Sequence, residues 1–329
     1  MTSLSVLFIG GSGVISSACA ARATAAGLDL TILNRGVTAQ RPIPDGADLI
    51  QGDIRVPDDA RAALGDRAFD VVVDFVAFTP EHVRTDIDLF AGRTRQYVFI
   101  SSASAYQTPP ARLPVVESTP LRNPHWRYSR DKIACEDLLV AAYRDTGFPA
   151  TIVRPSHTYD RTLVPLVGEW TALDRMRRGH EVVVPGDGTS LWTLTHHDDF
   201  AKGFVGLLGH PQAVGDSFHI TSDEVLTWNQ IYEALAAAAG VEPRLVHVAS
   251  ETIAAALPAL GPGLLGDKSH SMIFDNSKVK ALVPDYVATI PFATGAREIV
   301  DWDDAHPQRH AVDETLNTAF DDLVAATVR

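Results

Sequence analysis

The sequence contains only two cysteines, Cys19 and Cys135, among its 329 residues. Neither belongs to a C-x-x-C pair, so a disulfide framework is excluded. Such low cysteine usage is typical of a reducing compartment, and we expect a cytoplasmic protein. The N-terminus has no basic stretch before its first apolar run, so we expect no signal peptide.

Basic residues are also scarce. Lys and Arg number 28 against 41 Asp and Glu, which gives a formal charge of −13. Nucleic acids and anionic membranes require a basic footprint, so we predict neither as a partner. No window approaches the ~18 apolar residues of a membrane span. We therefore expect a monomer or homodimer that acts on a small molecule.

The first half of the chain alternates apolar runs with helix-like segments. Strands are predicted at residues 4–9, 28–33, 48–50, 71–75, 97–101 and 150–154, with helices at 14–26, 58–64, 80–90 and 130–145. This alternation predicts a parallel sheet with right-handed crossovers in a doubly wound α/β fold. In the second half, strands are predicted near 181–184 and 190–194, and helices near 165–178, 199–208, 228–239, 250–256, 293–301 and 313–326.

A glycine-rich turn, FIGGSGVISS, follows the first strand. Gly10 and Gly11 permit close backbone approach, and the helix that begins near Gly13 directs its N–H groups toward an anion. Ser16 stands where a dinucleotide fingerprint has its last Gly or Ala. The pattern predicts a Rossmann-type domain over residues 1–160, with a returning segment near 190–222. The smaller C-terminal substrate-binding lobe then comprises residues 161–189 and 223–329.

The residues after the second strand bear on the choice of cofactor. A carboxylate there would bind the ribose 2′-hydroxyl of NAD, but the sequence has Asn34 followed by Arg35. An arginine can pair with a 2′-phosphate through two hydrogen bonds. We predict NADP or NAD, with NADP favoured; an N-R-G turn with a solvated Arg35 is the alternative.

Tyr128 and Lys132 form a Y-x-x-x-K motif, whose spacing places both side chains on one helix face. An ammonium group near a phenol lowers the pKa of the phenol, which suits proton transfer. Ser102, at the end of an earlier strand, is positioned to hydrogen-bond a substrate oxygen beside Tyr128.

These motifs resemble the short-chain dehydrogenase/reductase superfamily, in its extended branch of NAD-dependent epimerases and dehydratases. The resemblance covers nearly the whole chain. It rests on GGSGVIS at 10–16, GDI at 52–54, ISSASAY at 100–106, YSRDK at 128–132, VRPSHTYD at 153–160 and GDGTSLWTLTHHDDFA at 186–201.

The resemblance implies NAD(P) binding and a catalytic set of Ser102, Tyr128 and Lys132. The expected cofactor contacts are Gly10, Ser12, Gly13, Val14, Ile15, Asn34, Arg35, Asp53, Ile54, Phe75, Val76, Ala77, Ser101, Tyr128, Lys132, Pro155 and His157. Asp53 is alternatively a helix-capping residue. The expected substrate contacts are Ser104, Tyr106, His157 and Trp192, with Trp126 as a further aromatic near the site.

The sequence departs from the family pattern at two places. Dehydratases carry an acidic pair after the catalytic Ser or Thr, whereas this chain has Ala103 and Ser104, so we do not expect a dehydratase. Trp192 replaces the arginine that usually holds a substrate diphosphate, which weakens the case for a sugar nucleotide. Three basic residues are considered as substitutes for that arginine: Arg161, Arg175 and Lys268.

The run His196-His197-Asp198-Asp199 has the composition of a metal site. It falls at a strand-to-helix junction, where Asp198 or Asp199 as an N-cap is the favoured interpretation. We therefore predict no metal.

The leading functional hypothesis is an NAD(P)-dependent epimerase of a sugar or sugar-containing small molecule, such as a sugar nucleotide, nucleoside or sugar phosphate. Hydride transfer at a carbinol carbon would be assisted by Tyr128. The alternatives are an NADPH-dependent reductase or dehydrogenase of a small carbonyl compound, and a non-catalytic dinucleotide sensor.

Overall fold

The computed structural model describes residues 3–36, 41–309 and 312–327. The strands in these ranges are β1 Ser5–Ile9, β2 Asp29–Asn34, β3 Asp48–Gln51, β4 Phe69–Asp74, β5 Thr94–Ile100, β6 Ala150–Pro155, β7 His157–Tyr159, β8 Glu181–Pro185, β9 Leu191–Trp192, β10 Leu194–His196, β11 Ser217–Ile220, β12 Leu226–Thr227 and β13 Arg244–Val248.

The helices are α1 Val14–Ala25, α2 Pro57–Leu64, α3 Pro80–Phe90, α4 Arg127–Thr146, α5 Glu169–Arg177, α6 His197–Leu207, α7 Trp228–Ala238, α8 Ser250–Ala256, α9 Gly261–Gly263, α10 Ser277–Leu282, α11 Phe292–Ala305 and α12 Glu314–Thr327. A π-helical turn, Leu264–Lys268, continues directly from α9. No helix among the described residues combines the length and apolarity of a membrane span.

Seven parallel strands form the central sheet in the order β11-β6-β5-β4-β1-β2-β3. The predicted doubly wound α/β fold is therefore confirmed. The six strands predicted in the first half are all present, with ends shifted by at most three residues. The seventh strand, β11, lies at the sheet edge with Ser217 opposite Ile152.

The strands are apolar on both sides because helices cover both faces of the sheet. On one face, α1 packs against α6, and its alanines fit against β1 residues such as Val6 and Phe8. On the other face, α2, α3 and α4 bury residues such as Val83 and Leu139 against Leu7. This layering brings the carboxyl ends of β1, β4 and β5 to one edge, where ligands bind in open α/β sheets.

The rest of the chain builds a second core beside that edge. The side chains of α5, α7 and α11 pack around the strand pair β8 and β13, which is parallel. Trp228 of α7 is fully buried there and stacks on Trp192, with ring centroids 5.3 Å apart. The indole N–H of Trp228 donates to the carbonyl of Lys268, so the π-helical turn is tied to α7.

Candidate active site

The glycine turn after β1 is held in a conformation that requires glycine. Gly10 has φ +82°, and a Cβ at this position would lie 2.9 Å from Cγ1 of Val76. A Cβ at Gly11 would lie 2.8 Å from Cγ2 of Ile32. Both glycines therefore keep the chain close to β2 and β4 while α1 begins directly after the turn.

Ser16 explains the missing last glycine of the fingerprint. Its side chain is buried in the first turn of α1, and its Oγ accepts a 2.9 Å hydrogen bond from the N–H of Gly13. A small hydroxyl side chain therefore preserves the close packing of the helix and also satisfies one N–H group at the helix start.

A cleft of about 300 Å³ lies beside this turn. Eight of its lining residues belong to the glycine turn or to the expected cofactor contacts: Gly10, Gly11, Ser12, Asn34, Arg35, Asp53, Ile54 and Val76. Sequence reasoning missed seven others: Ile9, Leu33, Gly36, Gly52, Arg55, Phe78 and His82. The close-packed glycines and the cleft beside them fit the pyrophosphate and adenosine portions of a dinucleotide.

The Asn34–Gly36 turn presents Arg35 to this cleft. Asn34 Oδ1 accepts a 2.9 Å hydrogen bond from the N–H of Gly36, which orders the turn. Arg35 is exposed, and no described residue forms an ion pair with its guanidinium. The guanidinium is thus available to an anionic ligand group.

Asp53 lies at the far side of the cleft, but it does not cap α2. Its Oδ1 accepts a 2.9 Å hydrogen bond from the N–H of Arg55, whereas the N-cap residue of α2 is Val56. The alternative assignment of Asp53 as a helix cap is therefore wrong, because α2 begins at Pro57 and its N-cap residue is Val56.

An arginine that sequence reasoning missed secures the glycine turn. Arg41 Nε lies 2.6 Å from Oδ2 of Asp160, and its Nη1 donates to the carbonyl of Ser12 at 3.1 Å. Asp160 is almost fully buried. Although burial alone would raise the pKa of Asp160, hydrogen bonds from Arg41 and Thr162 lower it below its ordinary value.

A second cavity, of about 240 Å³, lies beside the catalytic candidates. Ser102 follows β5, and Tyr128 occupies the first turn of α4, which begins three residues earlier than predicted. The cavity is lined by Ser102, Ala103, Ser104, Trp126, Tyr128, Pro155, Ser156, His157, Trp192, Thr193, Asp267, Lys268, Met272 and Phe274. Phe78 lines the first cleft and Tyr128 lines the second cavity, and the centroids of their rings are 6.5 Å apart.

Lys132 lies one helical turn beyond Tyr128 and is buried beneath the site. Its Nζ donates to the carbonyl oxygens of Ala77 at 2.6 Å and Ile100 at 2.7 Å. Burial lowers the pKa of Lys132 to about 8. Lys132 therefore joins α4 to the segments that follow β4 and end β5.

The protonation of Tyr128 differs from the prediction. Burial raises the pKa of Tyr128, and a hydrogen bond with Ser102 only partly opposes that effect. The ammonium of Lys132 is 5.7 Å from the centre of the phenol ring and is directed to backbone carbonyls. The predicted lowering of the Tyr128 pKa is therefore wrong for this geometry, and the phenol is protonated at neutral pH.

Three serine hydroxyls extend from the cavity toward α4. Ser129 donates to Ser104 Oγ at 2.7 Å, and the hydroxyls of Ser104 and Ser102 are 2.9 Å apart. Ser102 Oγ also accepts from the N–H of Ser104 at 3.1 Å. The chain of hydroxyls fixes Ser102 beside Tyr128. Ser104, predicted as a substrate contact, lines the cavity and positions Ser102.

Two predicted contacts turn away from the cavities. The hydroxyl of Ser101 donates to Glu136, and the fully buried Tyr106 bonds through its hydroxyl to Arg154 Nη1 and His219 Nδ1, both at 3.1 Å. Arg154 is itself paired with Glu136, at 2.5 Å. Neither Ser101 nor Tyr106 lines the two cavities, because both hydroxyls belong to a buried polar network.

The other predicted contacts divide into two groups. Pro155, His157 and Trp192 line the cavity beside Tyr128, and burial lowers the pKa of His157 to about 3, so this imidazole is neutral. Phe75 packs against Phe8, with ring centroids 5.1 Å apart. Gly13, Val14 and Ile15 form the start of α1, and Ala77 contributes the carbonyl that accepts from Lys132.

The two charged residues of the cavity come from the π-helical turn. Asp267 and Lys268 had no local signal in the sequence, although Lys268 was considered as a substitute for the diphosphate arginine. Lys268 reaches the cavity, whereas the buried guanidinium of Arg175 is paired with Asp321. Arg161 is exposed and does not line the cavity.

The histidine run is organised as a helix start. His196 is the N-cap residue of α6, and its Nδ1 accepts from the N–H of Asp198, so the predicted capping by Asp198 or Asp199 is wrong. His196 Nε2 contacts Glu298 at 2.9 Å, and His197 Nδ1 contacts the carbonyl of Val14 at 3.2 Å. Ligand atoms of His196, His197 and Asp198 lie within 4.8 Å of one another, but the imidazoles have these protein partners.

The parallel sheet, the glycine turn and the Ser102–Tyr128–Lys132 set define an extended short-chain dehydrogenase/reductase. The chain belongs to the NAD dependent epimerase/dehydratase family, whose model matches residues 6–221. The resemblance inferred from the sequence motifs is thus confirmed.

Individual relatives differ in their described functions. The chain is 28% identical to a 2'-dehydrokanamycin reductase of Streptomyces kanamyceticus over 86% of this chain and 80% of the relative. It is 29% identical to the chloroplast stem-loop binding protein of 41 kDa b of Arabidopsis thaliana, over 60% of this chain and 50% of that protein. The chain thus matches about half the length of the Arabidopsis protein.

A solved structure shares the fold over almost its whole length. UDP-glucuronic acid 4-epimerase from Bacillus cereus, in complex with UDP-glucuronic acid and NAD, superposes with a TM-score of 0.72 at 18% identity. The superposition covers 91% of this chain and 99% of the epimerase.

Proposed function

We propose that this protein is an NAD(P)H-dependent reductase of a carbonyl group on a sugar-like small molecule. The reverse reaction is the oxidation of the alcohol by NAD(P). The observation that carries the proposal is the half-buried, protonated Tyr128 beside Ser102 in a cavity walled by aromatic rings. When bound, the dinucleotide supplies a hydride to the carbonyl carbon.

The residues of the cavity supply the acid catalysis and the orientation. The hydroxyl of Ser102, held by Ser104, donates to the substrate carbonyl oxygen and fixes its position. Tyr128 transfers its phenolic proton to that oxygen as the alcohol forms, and solvent then returns a proton to the phenolate. Lys132 holds α4 in place and keeps a positive charge beneath the developing phenolate.

The cofactor assignment rests on Arg35 and on the NAD that is bound in a protein of the same fold. The Bacillus cereus epimerase of the same fold is described in complex with NAD. In this chain the exposed Arg35 and the neutral Asn34 suit a ribose 2′-phosphate. We therefore propose NADP(H) as the favoured cofactor, with NAD(H) also bound.

Epimerisation is the second candidate, supported by the fold shared with the Bacillus cereus epimerase. It requires the keto intermediate to present both faces to the same nicotinamide without leaving the site. Among the described residues that line the cavity beside Tyr128, no arginine is present to anchor a substrate diphosphate during this rotation, and Lys268 is the one lysine. Net reduction, the activity named for the Streptomyces relative, needs no such anchor.

A stoichiometry experiment separates these candidates. Purified protein is incubated with NADPH or NADH and a panel of keto sugars, UDP-sugars and sugar phosphates, while reduced nicotinamide and product are quantified. A reductase consumes one reduced cofactor for each alcohol formed. Conversion of a UDP-sugar to its epimer without net cofactor consumption would establish the epimerase instead. No reaction with any panel member, although cofactor binds, would favour the dinucleotide sensor.

A further inference from the structure

We infer that Asp267 is a substrate-recognition residue that binds an ammonium group, so that the substrate is an amino sugar. The inference rests on the proposed function, since it assigns a substrate class to the same cavity. It starts from the chemistry of the cavity wall, where Asp267 provides the one carboxylate among the described lining residues.

The carboxylate of Asp267 has unused hydrogen-bonding capacity. It forms no hydrogen bond with any described residue, although it forms an ion pair with Lys268, whose Nζ lies 3.9 Å from Oδ2, beyond hydrogen-bond range. Only 15% of the side chain is exposed. Lys268 offsets part of the cost of the buried charge, but the lone pairs of the carboxylate still lack hydrogen-bond donors, which a ligand can supply.

A second polar group in the same wall also lacks a partner. The indole N–H of Trp192 is buried without an acceptor among the described residues, and the side chain is only 4% exposed. The cavity wall therefore contains one carboxylate and one indole N–H that have no hydrogen-bond partner among the described residues. A sugar ring that carries an ammonium group and hydroxyls provides the complementary set.

The remaining walls favour a cation on a ring. Trp126, Trp192 and Phe274 line the cavity, and the Trp126 ring lies 5.1 Å from the ring of Tyr128. Aromatic faces attract ammonium groups and pack against the apolar faces of sugar rings. The carboxylate and the aromatic rings thus suit an ammonium group, whereas a phosphate would have Lys268 as its one cationic partner among the described lining residues.

A groove that adjoins the cavity adds two further carboxylates to its wall. A groove of about 670 Å³ shares Trp126, His157 and Lys268 with the cavity and continues to Glu169 and Asp313. Together the two spaces contain three carboxylates and one ammonium among their described lining residues. Glu169 has φ +47°, a backbone conformation that residues other than glycine adopt at a cost in free energy. The groove can accept a second, cationic ring of the substrate.

The test compares two ligands that differ in charge. Neamine, a two-ring aminoglycoside, and its fully N-acetylated derivative are titrated calorimetrically into the protein in complex with NADP. We expect the wild type to bind neamine at least tenfold more tightly than the acetylated compound. Asp267→Asn should lose this preference, while Asp301→Asn, a matched change at an exposed position on α11, should retain it. NADP titration verifies that each variant binds the cofactor.

Two outcomes overturn the inference: no preference for neamine in the wild type, or an unchanged preference in Asp267→Asn. With either outcome, the proposed reductase activity is still supported if keto sugars oxidise NADPH in the presence of the protein. Conversely, an Asp267-dependent preference for neamine, with no NADPH oxidation on any keto sugar, supports the recognition site and rejects the reductase.

Discussion

The ammonium of Lys132 lies 2.6 Å from the carbonyl oxygen of Ala77 and joins the helix of Tyr128 to the loop after β4. A second bond, to Ile100, reaches the strand end that precedes Ser102. Lys132 thus sets the relative positions of the dinucleotide cleft and the proton donor. Its role in this structure is to hold backbone segments together rather than to contact the phenol directly.

The first prediction is that Lys132→Met lowers both turnover and dinucleotide affinity. The change removes the charge and leaves two buried carbonyls without a donor, at a cost of about 1–3 kcal/mol each. We expect kcat to fall by about 10²–10⁴ and cofactor Kd to rise. Steady-state kinetics and fluorescence titration measure the two effects. Normal cofactor affinity in a folded Lys132→Met variant would contradict the positioning role.

The second prediction concerns alkaline pH. Because burial lowers the pKa of Lys132 to about 8, the charged form dominates below that value and is lost above it. We expect kcat/KM for carbonyl reduction to decline above about pH 8 in the wild type. In Lys132→Arg the side chain stays charged, so the decline should move to higher pH even if the rate is lower. A decline at the same pH in both proteins would assign it to another group.

Much of the fold could be predicted because each layer has a local signature. The apolar strands and the alanine-rich α1 follow from burial on both faces, and positions 10–16 determine the glycine turn. The edge strand β11 was not predicted as a strand, because four residues have too little periodicity. Helix α4 begins at Arg127, and its N-cap is Trp126, a residue type that gives no start signal.

The candidate site was predictable only where its residues belong to a motif. Ser102, Tyr128 and Lys132 were identified, whereas Asp267 follows them by more than a hundred residues and occurs in a π-helical turn with no sequence signature. Tyr106 lies next to the motif but turns toward Arg154 and His219. The direction of a side chain depends on these distant partners, which sequence spacing does not reveal.

The third prediction concerns cofactor choice. Arg35→Ala should weaken NADP binding by about 10- to 100-fold, the equivalent of a charge-assisted hydrogen bond, and should leave NAD binding nearly unchanged. Calorimetric titration with both cofactors measures the difference. Arg67→Ala, which removes an exposed arginine outside the cleft, is the control. Equal losses for NADP and NAD in Arg35→Ala would refute the assignment.

The fourth prediction concerns the ion pair of Arg41 with Asp160. Arg41→Ala leaves a buried carboxylate without its main partner and should destabilise the protein by about 2–4 kcal/mol at pH 7. The pKa of Asp160 is lowered in the folded protein, so its stabilisation is present above the unfolded pKa of ~3.9 and is lost as pH falls through the folded value. Urea unfolding of the wild type and of Arg41→Ala should therefore give a difference in the free energy of unfolding that becomes smaller as the pH falls.

The double variant Arg41→Ala/Asp160→Asn provides the control for this pair. It removes the unpaired charge, so it should be more stable than Arg41→Ala alone. The single variant Asp160→Asn completes the comparison. If the double variant loses as much stability as Arg41→Ala and Asp160→Asn lose together, the two side chains contribute independently and the ion pair has no coupling energy.

The last prediction concerns the proton donor. Tyr128→Phe keeps the ring packed between Phe78 and Trp126 but removes the hydroxyl that bonds with Ser102. Folding and dinucleotide affinity should be retained, while carbonyl reduction should slow by about 10²–10⁴. Tyr143→Phe, at an exposed position on the same helix, should behave as wild type. Because burial raises the pKa of Tyr128, its ionisation should appear only at high pH and should be absent from the pH–rate profile of Tyr128→Phe. If Tyr128→Phe reduced the true substrate at a near-normal rate, Tyr128 would not be the acid, and the cavity would then serve binding without this chemistry.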